Sequence, residues 1–236
     1  MIFDAATPHT FLDAMRFIAD NPSLLATKAL EQLELSGAAL GIAIAVALPL
    51  GIVLGHLHRG SGLAIGASIL GRALPSIFLI AVFLTVLGLG FANNMVALAI
   101  LAIGPILTNS YLGIEGVEPD AVDAARGMGF SGAGILGRIE LPLALPLLYV
   151  GVRIAAVTVV ATAPIAAYAG GGGLGDVIAN PATYRLSGVL GASICVMALS
   201  AGVWIVLLAL QKATTPRGVR AARVRGPAGE LEKEGL

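Results

Sequence analysis

Five stretches of this chain, 35–57, 63–89, 95–112, 143–168 and 189–210, are long and apolar enough to restrict it to one kind of structure. The hydrocarbon core of a bilayer is about 30 Å thick, and a helix rising 1.5 Å per residue needs about 20 mostly apolar residues to cross it. Within lipid every backbone N–H and C=O must be bonded internally, and uninterrupted apolar runs meet that demand as helices. The expectation is an all-α, polytopic membrane protein with five crossings. The second window is long and contains Arg72 and Pro75, so it can also divide, adding a sixth short segment.

Composition excludes several other classes. With 57% hydrophobic and 12% charged residues the chain is not a water-soluble globule. A net charge of zero argues against nucleic acid, which needs a concentrated basic surface. One cysteine, Cys195, rules out an intrachain disulfide, and with three histidines it nearly excludes a Cys/His metal cluster, while counting leaves a carboxylate site open. Thirty-one glycines and twelve prolines suit closely packed, interrupted membrane helices.

The organisation reads as three parts: an amphipathic segment at 1–23, a membrane domain at 24–210 and a charged tail at 211–236. In the first part Phe11, Met15 and Ile18 recur at helical spacing opposite Asp13, Arg16 and Asp20, which predicts a short helix in the interface plane or against a partner. No basic segment and small-residue cleavage site frame an apolar core there, so a cleaved signal peptide is not expected. Cations set the orientation. Lys212, Arg217, Arg220, Arg223, Arg225 and Lys233 fall in the tail, and five crossings place Arg59, Arg126 and Arg138 on the same side. Nine cations there against three opposite (Arg16, Lys28 and Arg185) predict a cytoplasmic carboxyl terminus and an external amino terminus.

The longest polar interruption, 113–142, lies on the cytoplasmic side in this topology. Pro119 suits a first helical turn, Asp120 and Asp123 favour its positive end, and Gly127 and Gly129 stop it. Phe130 follows as an exposed-looking aromatic knob, then an apolar stretch from Ile135 to Leu141. A short helix, a glycine bend and an aromatic make a plug for a groove on another protein.

The stretch from Asp123 to Pro142 closely resembles the EAA loop of type I ABC importer permeases, whose pattern is Glu-Ala-Ala, three residues, Gly, nine residues, Ile, any residue, Leu-Pro. Asp123, Ala124, Ala125, Gly129, Ile139, Leu141 and Pro142 occupy those places with the spacing intact, and Asp for Glu is the one departure. The likeness extends over roughly 24–210. Within it NSYLGIEGVEPDAVDAARGMG, ELPLALPLLYVGVRIA and GGGGLGD resemble the osmoprotectant branch, which imports glycine betaine, choline, carnitine or proline-like solutes. Arg72 departs from the neutral residue expected in that branch, and the mixed-charge tail after Arg217 lies outside the shared core.

The resemblance implies the MetI-like permease fold. It also implies a second permease subunit, as a homo- or heterodimer, two cytoplasmic ABC ATPase subunits that dock on the coupling loop, and an extracytoplasmic solute-binding protein. ATP and Mg then belong to the partner ATPase, and this chain binds no cofactor of its own. It is expected to have no catalytic residues.

Two further features are candidates for the pathway or a gate. Gly172, Gly173, Gly175 and Asp176 belong to a glycine run that lacks the Gly-Lys-Ser/Thr ending of a phosphate loop, leaving a flexible outer loop or an adaptable turn at the outer mouth. Arg153 lies within the fourth window, where a charge costs ~2.5–3.5 kcal/mol on insertion scales and so faces a cavity, faces a partner or snorkels to the interface. His56 and His58 read as interfacial polar residues, since two residues apart they share no helix face. Competing classes are a permease of this type for another small solute such as an amino acid or amine, an intramembrane enzyme, and an ATP-independent channel or secondary transporter. The enzyme lacks a nucleophile–base or paired-carboxylate constellation at depth, and the last class leaves the loop motif unexplained.

Overall fold

The computed structural model describes residues 8–62, 64, 66, 69 and 75–215, and among these there is no strand. The helices are α1 (Pro8–Asp20), α2 (Pro22–His56), α3 (Ser76–Leu87), α4 (Phe91–Glu115), α5 (Pro119–Gly127), α6 (Gly132–Ile135), α7 (Leu141–Thr162), α8 (Gly175–Ile178) and α9 (Pro181–Thr214). A π-helical turn, Leu136–Glu140, joins α6 to α7, and a 3-10 segment, Ala163–Ala169, extends α7. Together they make one rod of 38 residues, Gly132–Ala169. Pro142 has no N–H to offer the carbonyl of Arg138, and the widened turn immediately before it absorbs that missing bond.

Four of the five expected windows lie in helices long and apolar enough to cross a membrane: α2, α4, the Gly132–Ala169 rod and α9. The second window divides at Pro75, whose backbone is extended (φ −61°, ψ 130°). Its described helix, α3, has 12 residues and is about 18 Å long, short of the ~30 Å core. Arg72 lies outside the described residues, as do Thr7 and residues 216–236 of the tail. The last helix runs to Thr214, four residues beyond the expected boundary at 210.

The bundle is centred on α4, which packs against α2 on one side and α7 on the other. On α2 the buried positions Leu35, Ala39, Ala43, Ala47, Gly51 and Gly55 recur every four residues, a stripe of mostly small residues that lets backbones approach. A Cβ added at Gly51 would stand 2.6 Å from Ser110 Cβ and 2.8 Å from the Leu107 carbonyl. At Gly151, on α7, it would stand 2.7 Å from Asn109 Cβ. These contacts require glycine because helix backbone lies on the far side. Helix α9 is peripheral, with Met197, Trp204, Ile205, Val206 and Leu210 exposed, a face suited to lipid.

The amphipathic segment is helical but docks by a face rotated from the one its apolar spacing suggests, sharing Ile18 with it. Phe11 and Met15 are exposed (61% and 44%), while Ala14, Phe17 and Ile18 meet α9. Phe17 fits where Gly188 and Gly191 leave room and meets Tyr184 edge to face, ring centroids 6.2 Å apart. The partner's shape, not the helix's own periodicity, selects the docking face.

Candidate functional site

The candidate residues other than Arg153 gather at opposite ends of the Gly132–Ala169 rod. At one end lies the loop that carries the EAA-type pattern. Helix α5 starts with Pro119 in its first turn and ends at Gly127, the bounds its prolines and glycines dictate. Ala125 is buried, whereas Asp123, Ala124 and Arg126 are exposed. Asp123 accepts a hydrogen bond from Arg126 Nη1 at 2.9 Å; both side chains are more than two-thirds exposed, so the pair contributes little to stability.

The chain then reverses. The amides of Met128 and Phe130 donate to the carbonyls of Ala124 and Ala125, and Gly129 takes φ +83°, where L side chains are strained. No other group lies within 4 Å of an added Cβ there, so Gly129 is required for backbone hand and not for close approach. Ser131 Oγ accepts from the Gly134 amide at 3.3 Å and caps α6. Phe130 is not the exposed knob its position suggests: it is half-buried, with the Arg138 guanidinium 5.8 Å from its ring centre. Met128, 68% exposed, is the large apolar side chain the loop presents.

Ile139, Leu141 and Pro142 are half-buried where the loop enters α7. Leu141 and Leu136 pack on a cluster built from Ile114, Ala144 and Leu148, which Leu48 and Ile52 of α2 also cover. The loop's exit is thereby seated on α2 and α4 together.

At the other end, the glycine turn is tightly built. Gly170, Gly172 and Gly173 take φ of +72°, +71° and +81°. Glu31 Oε2 accepts the Gly173 amide at 2.9 Å and the Lys28 ammonium at 2.8 Å, and Lys28 also donates to Asp176 Oδ2 at 2.7 Å. Beneath the turn, Gln32 Nε2 donates to the Val160 carbonyl at 2.9 Å and Asn94 Nδ2 to the Ala169 carbonyl at 3.2 Å. A Cβ on Gly173 would approach Gln32 Cβ to 3.1 Å, and one on Gly175 would run into the Pro164 backbone.

Arg153 belongs to neither end. Its Nη1 donates to Gln211 Oε1 at 3.0 Å and its guanidinium sits 5.6 Å from the Trp204 ring centre, both on α9. A hydrogen bond and an aromatic face thus offset the cost of its charge.

Sequence reasoning missed two pairings. Lys28 and Asp176 lie 148 residues apart, and His56 and Glu140 lie 84 apart; no local pattern signals either.

The family model described as binding-protein-dependent transport system inner membrane component matches residues 47–218, a span that includes the whole loop. A glycine betaine/carnitine/choline transport system permease protein, OpuCB of Bacillus subtilis (strain 168), is 33% identical over 89% of this chain and 97% of its own length. The carnitine transport permease protein OpuCB of Listeria monocytogenes is 34% identical over the same shares. The osmoprotectant import permease protein OsmW of Salmonella typhimurium is 29% identical over 89% of this chain and all of its own. Among solved structures, an inward-facing MetNI methionine ABC transporter superposes with a TM-score of 0.71 over 82% of this chain and 97% of the matched chain, at 20% identity. The fold is that of an ABC importer permease, and the chain belongs to the family of binding-protein-dependent transport system inner membrane components.

Proposed function

We propose that this chain is the membrane-spanning permease subunit of an ATP-driven importer for a small osmoprotectant such as glycine betaine, choline, carnitine or proline. The observation that carries the reading is the exposed α5–Gly129 loop, which bears the EAA-type pattern in a chain 33% identical, nearly end to end, to an osmoprotectant permease. In this reading the loop and the carboxyl terminus are cytoplasmic, and the amino terminus and the glycine turn are external. Two permease subunits enclose the path, two ABC ATPases bind ATP and Mg and dock on Asp123 to Gly129, and a binding protein delivers solute outside. Hydrolysis occurs on the partners and this chain has no catalytic residue.

The mechanical basis is the rod. One continuous helical rod joins the loop to the glycine turn, so displacement of the loop by closing ATPases is delivered to residues 170–176, some 38 residues away along the rod. Gly172, Gly173, Gly175 and Asp176 then act as the outer gate, with Lys28 and Glu31 as its catch. Arg153 fixes α9 to the rod. ATP and solute bias the two states only through different affinities for each.

Uptake of labelled glycine betaine by cells that depend on this system tests the substrate class. ATP-dependent uptake competed by choline or carnitine is the expected result. Transport of a sugar or metal ion, with no competition by a betaine, would contradict it.

A further inference from the structure

Among the described residues Glu140 is the most deeply buried charged side chain, 3% exposed, and it lies in the π-helical turn where the loop becomes α7. A carboxylate withdrawn from water is costly without a partner. Its partner is His56, the last residue of α2, whose Nδ1 stands 2.6 Å from Glu140 Oε2. With the carboxylate ionised, Glu140 only accepts and Nδ1 is the donor. The opposite edge of the ring faces the start of α6: a Cβ on Gly132 would lie 3.6 Å from Nε2. His56 is therefore held between both ends of the segment by which the loop returns to the bundle.

We infer that His56 and Glu140 form a strut that makes α2 follow the coupling loop, so that the loop drives two helices at once. The inference rests on the reading of that loop as the ATPase dock. Leu48 and Ile52 of α2 and Leu136 and Leu141 of the loop's exit also meet on one shared apolar cluster, and such contacts are non-directional and able to slide. A short charge-assisted hydrogen bond fixes direction and distance. The far end of α2 carries Lys28, Glu31 and Gln32, which grip the glycine turn and Val160. Helix α2 and the rod thus run as two parallel connections between the same two loops, cross-tied at the loop end by His56–Glu140. His56 and Glu140 are positioning residues, acting through the helices they join.

The test uses the complete transporter, permease with its ATPases and binding protein, in sealed vesicles, reading solute imported per ATP hydrolysed. His56→Ala should lower that ratio by about tenfold, the size of one hydrogen bond to a charged group, while the ATPases still co-purify. His56→Gln, whose amide also donates to a carboxylate, should keep most of the ratio, and the exchange His56→Glu with Glu140→His should recover it. Glu140→Gln supplies the second arm should His56→Ala not insert, and is expected to uncouple in the same direction. An unchanged ratio in His56→Ala, or equal losses of uptake and hydrolysis that the exchange does not restore, would overturn the strut and leave the importer reading standing. Absence of ATP-driven uptake by the unsubstituted complex, or of ATPases bound to it, would overturn that reading and the strut with it.

Discussion

Both ends of the rod turn on glycine and both use positive φ, but at only one of them is the space around the glycines also filled. Around Gly173 and Gly175 the space is filled, by Gln32 and by the Pro164 backbone, so glycine is the residue that fits. Around Gly129 the space is empty, and glycine serves only to let the backbone take a positive φ. The first construction holds a turn shut; the second presents a helix to something outside the chain. A glycine-rich stretch therefore says little about mobility until its surroundings are known.

The contrast is broken most severely by filling the closed end. Gly175→Leu should cost most of the folded protein, because a backbone carbonyl cannot move aside as a side-chain tip can. Size-exclusion chromatography in detergent and membrane expression read this out, and a monodisperse, fully expressed variant would contradict the packing described. Removing the catch is next in size. Lys28→Met deletes both hydrogen bonds from the ammonium and should raise amide exchange at residues 172–176 by about tenfold, with exchange in the α5 helix unchanged. Equal exchange in both forms would show that the ion pairs do not hold the turn.

The smallest effect belongs to the open end: Asp123→Ala removes an exposed pair worth ~0–1 kcal/mol and should shift thermal stability marginally while transport falls modestly.

The two ends were unequally legible in the sequence. Helix α5 and the bend after it follow from local rules, with Pro119 at the start, Gly127 at the end and Gly129 beyond, and the structure matches them closely. The glycine turn did not yield to such rules, because what fixes it comes from Lys28 and Glu31, more than 140 residues earlier. Those residues also hid the true start of α2: Lys28, Glu31 and Glu34 interrupt the apolar run, so the first window opens at 35 where the helix begins at Pro22. The second window shows the converse, since apolarity alone runs through Pro75 and the backbone does not. His56 read as interfacial because the carboxylate that engages it belongs to a different polar loop.

The central claim, that the loop around Gly129 couples ATP hydrolysis to transport, is tested most directly by comparing Gly129→Val with Gly129→Asn in vesicles holding the whole transporter. Both add bulk into empty space, but asparagine tolerates the left-handed region and valine does not. The account predicts normal membrane insertion for both, near-native uptake and solute-stimulated ATP hydrolysis for Gly129→Asn, and loss of most of each for Gly129→Val. Full uptake and stimulation in Gly129→Val would contradict it.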